Sequence, residues 1–472
     1  MILWGYLLSL LYAALVLGIG ALCYKLGLDK KYSRKIVHIL VGLEWFILSA
    51  THTNTIHFVI VCLFFVAFLT LVYHKRWLPM ISSAEDNAKG TVFYAISMTA
   101  MATVSLFFAD FLPAFGIAVL ATSFGDGFGG IFGQALGKKH RLYKNKTLVG
   151  TLAVFVATLG SVSLFSHGYG LGYTLVELLC ISLLAAGVEL LATRGLDNIL
   201  VPLSVSAFAY LLYLNLMDSM MLAISVAPLL VALTRGRDKL TRGGAITACA
   251  LDVLVAIAFG DRGFWMLIAF FALALIADEV KRMHNPKKEK SECRNASQVL
   301  ANSAFGALCA LSYIIFSHKY FLFLYLLSFA EALADTASSG FGILARNTYD
   351  IFRFRKIEKG ESGGISLVGT LAGLFFSATL LALGALLFSL DLSVLTLLLL
   401  CATAGNLFDS FLGTFVQLRY RCAVCQRVVE EPVHCEESAE HIRGVRPFDN
   451  SLVNLMSVAF SIALFCLITF FL

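Results

Sequence analysis

Runs of about 20 apolar residues, separated by short polar loops, recur along the whole chain, and few folds accommodate such a pattern. A bilayer core about 30 Å thick takes about 20 mostly apolar residues per helix, and every backbone polar group inside it must be satisfied internally. Sixteen such segments are legible, centred near residues 13, 43, 65, 100, 122, 157, 182, 207, 226, 252, 270, 307, 331, 377, 403 and 462. In a chain of 472 residues, 59% hydrophobic and only 14% charged, they leave room for little besides loops. Soluble, disordered and nucleic-acid-binding classes are excluded on this composition. The expected fold is an all-α polytopic membrane protein of about sixteen transmembrane helices.

The loops alternate in charge. Every second loop, beginning with the one after the first segment, is basic, and together these hold 34 of the 36 Lys and Arg residues; the other side keeps only Arg262 and Lys319. The positive-inside rule then places both termini outside and the long loops in the cytoplasm, as expected of a multi-pass protein of the cytoplasmic (plasma) membrane with its active face inside. The first segment, Ile2 to Tyr24, has no basic residue ahead of it and no convincing cleavage site, so it reads as a retained helix. Most of the 11 Cys lie within apolar segments, where Cys acts as a small hydrophobe.

The chain also repeats itself. Leu148-Val149-Gly150-Thr151-Leu152-Ala153 recurs as residues 367–372; an intramembrane aspartate precedes each copy (Asp126, Asp335), and Asp197-Asn198 recurs as Asp449-Asn450. The paired segments are displaced by eight, an even number, which predicts two parallel eight-helix repeats, roughly 1–217 and 218–472.

A charged group at the bilayer centre costs about 2.5 to 3.5 kcal/mol on insertion scales, so an aspartate there needs a reason. Asp126 is followed by glycines at 127, 129, 130, 133 and 137 and then by Lys138, Lys139, Arg141, Lys144 and Lys146. A carboxylate, close-approaching backbone and a basic loop at one membrane face suit Mg²⁺-nucleotide chemistry beside a lipid. The same residues also read as helix-packing glycines, a buried structural acid and ordinary positive-inside lysines. Glu189, Asp197, Asp409 and Asp449 add carboxylates near that face, while Asp335 is followed by Arg353, Arg355, Lys356 and Lys359 and by a Gly-rich turn at Gly363-Gly364. No Walker A pattern is present, so a P-loop nucleotidase is not expected. Arg34, Lys35 and His38 open the second segment as a nucleotide contact or as boundary residues reaching water. Cys422-x2-Cys425 with His434-Cys435 has the composition of a structural zinc site, with His441 as a substitute ligand, or is a set of reduced thiols.

In combination these residues resemble known families. Arg34-Lys35-x2-His38-x3-Gly42, Gly125-Asp126-x6-Gly133-x3-Gly137-Lys138, Lys146-Thr147-x2-Gly150-Thr151 and Asp197-Asn198-x3-Pro202 resemble the phytol kinase and dolichol kinase group of CTP-dependent polyprenol kinases. Val149, where dolichol kinases usually carry Glu, favours the phytol kinase side. From about residue 230 onward the chain resembles the phytyl-phosphate kinase family. The residues that carry this are Ala334-Asp335-Thr336, Gly363-Gly364-Ile365-Ser366-x2-Gly369-Thr370, Asp409-Ser410, the Cys422 set and Asn450-x2-Val453-Asn454, with Gly340 where that family usually has Glu.

The resemblance implies two successive kinases in one chain, making a prenyl monophosphate and then a diphosphate, with Mg²⁺ as cofactor and CTP as donor. It implies roles for Asp126 on Mg²⁺ or the hydroxyl proton and for Lys138 and Lys146 on phosphate, with Arg34, His38, Gly125, Gly133, Gly150 and Asn198 around the nucleotide. In the second half it implies Asp335 and Asp409 at the metal, and Lys356, Gly363, Gly364, Gly369 and Asn450 about the phosphates. The expected partners are lipid, an isoprenoid alcohol and a nucleotide, with no nucleic acid. A CDP-lipid synthase and a transporter are the rival readings.

Overall fold

The structure, a computed structural model, describes residues 2–52, 54–75, 89–137, 140–193, 195–217, 219–236, 240–284, 295–350, 352–357, 363–426, 428–429, 433–435 and 437–471. It divides into two compact units, Met1–Arg237 and Asp238–Leu472. The division falls later than the expected 217/218 because the helix Met221–Gly236 packs on Leu175–Leu191 of the first unit.

The first unit runs α1 (Ile2–Lys25), α2 (Lys30–Val41), α3 (Glu44–Thr51), α4 (Ile56–Lys75), α5 (Lys89–Phe107) and α6 (Leu112–Leu120). A π-helical turn, Ala121–Asp126, leads directly into α7 (Gly127–Leu136). A short hairpin of β1 (Arg141–Tyr143) and β2 (Lys146–Thr147) precedes α8 (Leu148–Tyr169), α9 (Leu175–Leu191), α10 (Asp197–Tyr213) and α11 (Met221–Gly236). The second unit comprises α12 (Arg242–His284), α13 (Ala296–Phe316), α14 (Tyr320–Gly342), the hairpin β3 (Thr348–Asp350) and β4 (Arg355–Ile357), α15 (Leu367–Phe388) and α16 (Leu392–Phe415). Its loop strands β5 (Arg419–Arg421), β6 (Val428–Val429), β7 (Val433–His434), β8 (Glu437–Ser438) and β9 (Glu440–Arg443) lead to α17 (Asn450–Phe471).

The chain is an integral, multi-pass, all-α membrane protein. Among the described residues eleven helices are long and apolar enough to span a membrane, Ala109–Leu136 counting as one, and Asp197–Tyr213 and Met221–Thr234 are shorter apolar helices. Sixteen segments were expected. The second is not continuous: it breaks at Gly42, where a side chain would meet Ser123 of the π turn at 2.5 Å. The segments centred near 182, 207 and 226 form helices of 16 or 17 residues. Those near 252 and 270 form one element that reverses at Gly260, whose φ of 65° favours glycine. The reversal brings Gly263 against Val255.

In each unit the most enclosed span carries the aspartate noted in the sequence. The span containing Asp126 is 78% buried and the one containing Asp335 is 72% buried, whereas no other span exceeds 44%. Behind each aspartate, two helical turns on, a glycine lets the next helix approach. A Cβ on Gly150 would stand 3.3 Å from the Cα of Gly133, and one on Gly369 would stand 3.3 Å from the Cα of Gly342. Both following helices start from a hydroxyl cap: Thr147 accepts from the Gly150 amide and Ser366 from the Gly369 amide, each at 3.1 Å.

Candidate active site

The π turn governs how Asp126 is presented. Such a turn inserts a residue into the helical repeat and rotates the helix beyond it; here it is held by Thr122 donating to the Ala118 carbonyl and by the Tyr94–Ser123 hydroxyl pair, each at 2.8 Å. Asp126 is buried, and the Lys35 ammonium donates to both its oxygens at 2.7 Å. His38, one turn further along α2, brings Nε2 to 3.4 Å from the same carboxylate and lays its ring edge-on to Tyr94. Lys35 and His38 share a face of α2 because residues three apart are neighbours on a helix.

A second cation enters from the hairpin. Lys146 on β2 pairs with Glu189 of α9 and lies 3.7 Å from Asp197 at the start of α10. Burial alone would lower the pKa of this ammonium, yet the Glu189, Asp197 and Asp126 carboxylates outweigh it and raise it above the ordinary lysine value. Oxygens of Asp126, Glu189 and Asp197 all lie within 4.8 Å of one another. An all-oxygen, all-carboxylate donor set of this kind matches a hard divalent cation such as Mg²⁺.

These groups line a cavity of about 1070 Å³. Arg34, Lys35, Arg141, Lys146 and Asn198 line its charged portion, and Val61, Phe65, Phe68, Met98 and Phe115 its apolar portion. The Asn198 amide N–H contacts Asp197 Oδ1 at 3.2 Å, and its carbonyl accepts from Ser97 at 2.8 Å. Lys138 lies outside the described residues.

The glycines pack helices. Gly125 is turned toward Thr158 and Val154, Gly133 meets Gly150, and the Lys35 side chain crosses Gly130 on its way to Asp126. A methyl on Gly129 would come within 2.4 Å of Val154 and 3.2 Å of the Gly150 carbonyl. Gly129→Ala is therefore expected to cost about 1 to 3 kcal/mol by forcing α7 and α8 apart. A thermal melt in detergent checks this; an unchanged midpoint would show that the contact is slack.

In the second unit Asp335 and Asn450 meet in a smaller cavity of about 170 Å³, with Asp278, Lys281, Asn302 and Asn454. The other expected residues lie elsewhere. Lys356 is exposed on β4 opposite Tyr349, and Asp409 is absent from the cavity lining. Gly363 (φ 78°) abuts Gly413 and Thr414, half-buried Gly364 follows it, and Gly369 packs on Ser338 and Gly342. Lys281 is the cation that lines this cavity, where Lys356 had been expected. In the loop after α16 the sulfurs of Cys422, Cys425 and Cys435 come within 4.8 Å of one another; the His434 side chain lies outside the described residues.

Sequence reasoning singled out Asp126, Lys146, Arg34 and His38, and all four line the large cavity. It treated Lys35 as half of a basic boundary pair and noted Glu189 and Asp197 as carboxylates near the same face, without giving any of the three a role. The signal for Lys35 was its three-residue spacing from His38.

Comparison with known proteins adds a family context. The family described as integral membrane protein DUF92 matches residues 225–462. An uncharacterized membrane protein of Methanocaldococcus jannaschii is 32% identical over 202 residues, 42% of this chain and 81% of the relative. The phytol kinase of Synechocystis is 30% identical over 188 residues, 38% of this chain and 78% of the relative. Protein VTE6 of Arabidopsis thaliana, a chloroplastic protein, is 28% identical over 211 residues, 42% of this chain but only 61% of its own length. No solved structure matches the chain.

Proposed function

This chain belongs to the integral membrane protein family DUF92, and from that premise we propose that it is a lipid-alcohol phosphotransferase that converts an isoprenoid alcohol of the phytol or geranylgeraniol type to its monophosphate and then its diphosphate, with CTP as donor. The observation that carries this reading is that one cavity is lined both by apolar Val61, Phe65, Phe68 and Phe115 and by a cluster of three carboxylates with Lys35 and Lys146. A prenol has that polarity: a long apolar tail and one hydroxyl. The relation to a phytol kinase supports the same reaction.

Phosphoryl transfer asks for positioning and charge neutralisation more than covalent help. The tail lies along the apolar wall, with the hydroxyl at Asp126. Asp126 accepts the hydroxyl proton as the lipid oxygen bonds to the γ-phosphorus, and the bond to the departing nucleoside diphosphate breaks. Lys35 and Lys146 hold the phosphate oxygens, and the dry wall keeps water from competing as acceptor. Asp126, Glu189 and Asp197 would hold Mg²⁺, which when bound neutralises the charge of the nucleotide phosphates. The concentration of basic residues on alternate loops supports nucleotide arriving from the cytoplasm, with the protein in the plasma membrane. We assign the second phosphorylation to the unit holding Asp335 and Asn450.

The test supplies purified full-length protein in detergent with Mg²⁺, CTP or ATP, and phytol or geranylgeraniol, and reads lipid products by mass. The expected product is the monophosphate, followed by the diphosphate. Monophosphate alone removes the second step from the proposal, and unchanged alcohol under every pairing removes the kinase.

A further inference from the structure

The segment joining α16 to α17 folds as a small β module with little apolar material to hold it. Strands β5, β6 and β9 form a three-stranded sheet and β7 and β8 a separate hairpin, none longer than four residues. Val424, Val428, Val433, Ile442 and Val445 are exposed, and the buried positions include Leu418, Tyr420 and Cys422. Modules below about 40 residues seldom hold themselves by apolar burial and are commonly stapled by disulfides or a metal.

The cysteines supply the means. The sulfurs of Cys422, Cys425 and Cys435 come together from the end of β5 and from the turn between β7 and β8. Around tetrahedral Zn²⁺, with Zn–S of about 2.3 Å, sulfurs stand about 3.8 Å apart. Closing the present spacing of up to 4.8 Å onto an ion takes shifts of about an ångström. The backbone is wound to suit a sulfur ligand: the Cys425 amide donates to Cys422 Sγ at 3.5 Å and the Gln426 amide to the Cys422 carbonyl at 2.9 Å. Gln426 and Cys435 take φ values of 60° and 53°, left-handed conformations that cost a non-glycine residue about 1 to 2 kcal/mol. A disulfide would engage two of the three sulfurs, whereas a thiolate-bound cation engages all of them.

We propose that Cys422, Cys425 and Cys435 bind one Zn²⁺ ion in a structural site that holds this loop. The inference stands apart from the phosphotransferase reading. It has a mechanical consequence, because the strands carrying the site clamp the end of α16. Arg419 of β5 donates to the Gly413 carbonyl at 2.8 Å, and Arg443 of β9 donates to the Gly413 and Thr414 carbonyls. Gln417 then reaches Asn450 at the start of α17 at 3.2 Å, the residue that lines the Asp335 cavity.

The experiment measures zinc in full-length protein purified in detergent without chelator. About one zinc per chain is expected, lost in Cys422→Ser, Cys425→Ser and Cys435→Ser and kept in the control Cys249→Ser. Because a serine variant can fail to fold, wild-type protein is also stripped and titrated with Co²⁺. A thiolate-to-cobalt charge-transfer band saturating near one equivalent, with loss of maleimide labelling at the three cysteines, supports the site. Zinc below about a tenth of an equivalent together with no cobalt band overturns it, as does full zinc retention in the triple serine variant.

Discussion

Replacement of Asp126 by Asn is expected to lower prenol phosphorylation by about 10³-fold or more. The exchange keeps the volume and removes the charge, so the protein loses the proposed acceptor for the hydroxyl proton and one of the three carboxylates that converge within 4.8 Å. Losses of about 10² to 10³ follow removal of a single group acting on developing charge, and the proposal gives this one side chain both the proton and the cation. The substitution also leaves the Lys35 ammonium without the carboxylate it grips at 2.7 Å, and breaking a buried pair costs about 3 to 5 kcal/mol. The variant must therefore be shown monodisperse and cooperatively melting, with Asp126→Glu as companion because it keeps the charge and moves it by one methylene. Activity within tenfold of wild type in folded Asp126→Asn protein would remove Asp126 from the reaction.

Lys146→Met is expected to lower stability by about 3 to 5 kcal/mol. Glu189, only 7% exposed in its side chain, loses its ion-pair partner and faces Asp197 and Asp126 without the Lys146 ammonium. Mg²⁺ is expected to restore part of the lost melting temperature, because a divalent cation supplies the missing positive charge to the same oxygens, and EDTA to abolish the recovery. Equal melts with and without Mg²⁺ would mean that the carboxylates do not form a cation site. The wild-type protein gives the matching pH expectation. The Lys146 pKa is raised in the folded state, so its contribution is fully present below the ordinary lysine value near 10.4 and is lost only above it. Lys146 itself should add no slope to stability between about pH 7 and pH 9.

The helices were legible because a bilayer demands the same thing of every span, and about 20 apolar residues can be read without knowing their neighbours. The reversal at Gly260 was legible too, since Arg262 lies between the segments centred near 252 and 270. The break at Gly42 was not, because it depends on Ser123 lying opposite, 81 positions away in sequence. The site divides in the same way. Asp126 announced itself through the cost of an intramembrane charge. Lys35 did not, because a lysine at a cytoplasmic boundary looks like any positive-inside residue until the π turn brings Asp126 to it. The glycines from Gly125 to Gly137 permit close approach, and only the fold reveals that the approaching groups are α8, Thr147 and the Ile39 and Lys35 side chains of α2. Lys356 drew notice in the sequence by its place beside a Gly-rich turn, and only the fold shows that β4 pairs with β3, leaves it exposed and keeps it out of the Asp335 cavity lining.

The most direct test of the central claim tracks two labels at once. Wild-type protein is incubated with phytol, Mg²⁺ and CTP labelled at either the α- or the γ-phosphorus, and the lipid and aqueous phases are separated. Phosphoryl transfer to the prenol predicts γ-label in the lipid and α-label in released CDP. α-Label in the lipid with pyrophosphate in solution would make the cluster around Asp126 a cytidylyltransferase site, and no label in the lipid from either form would contradict phosphoryl transfer altogether.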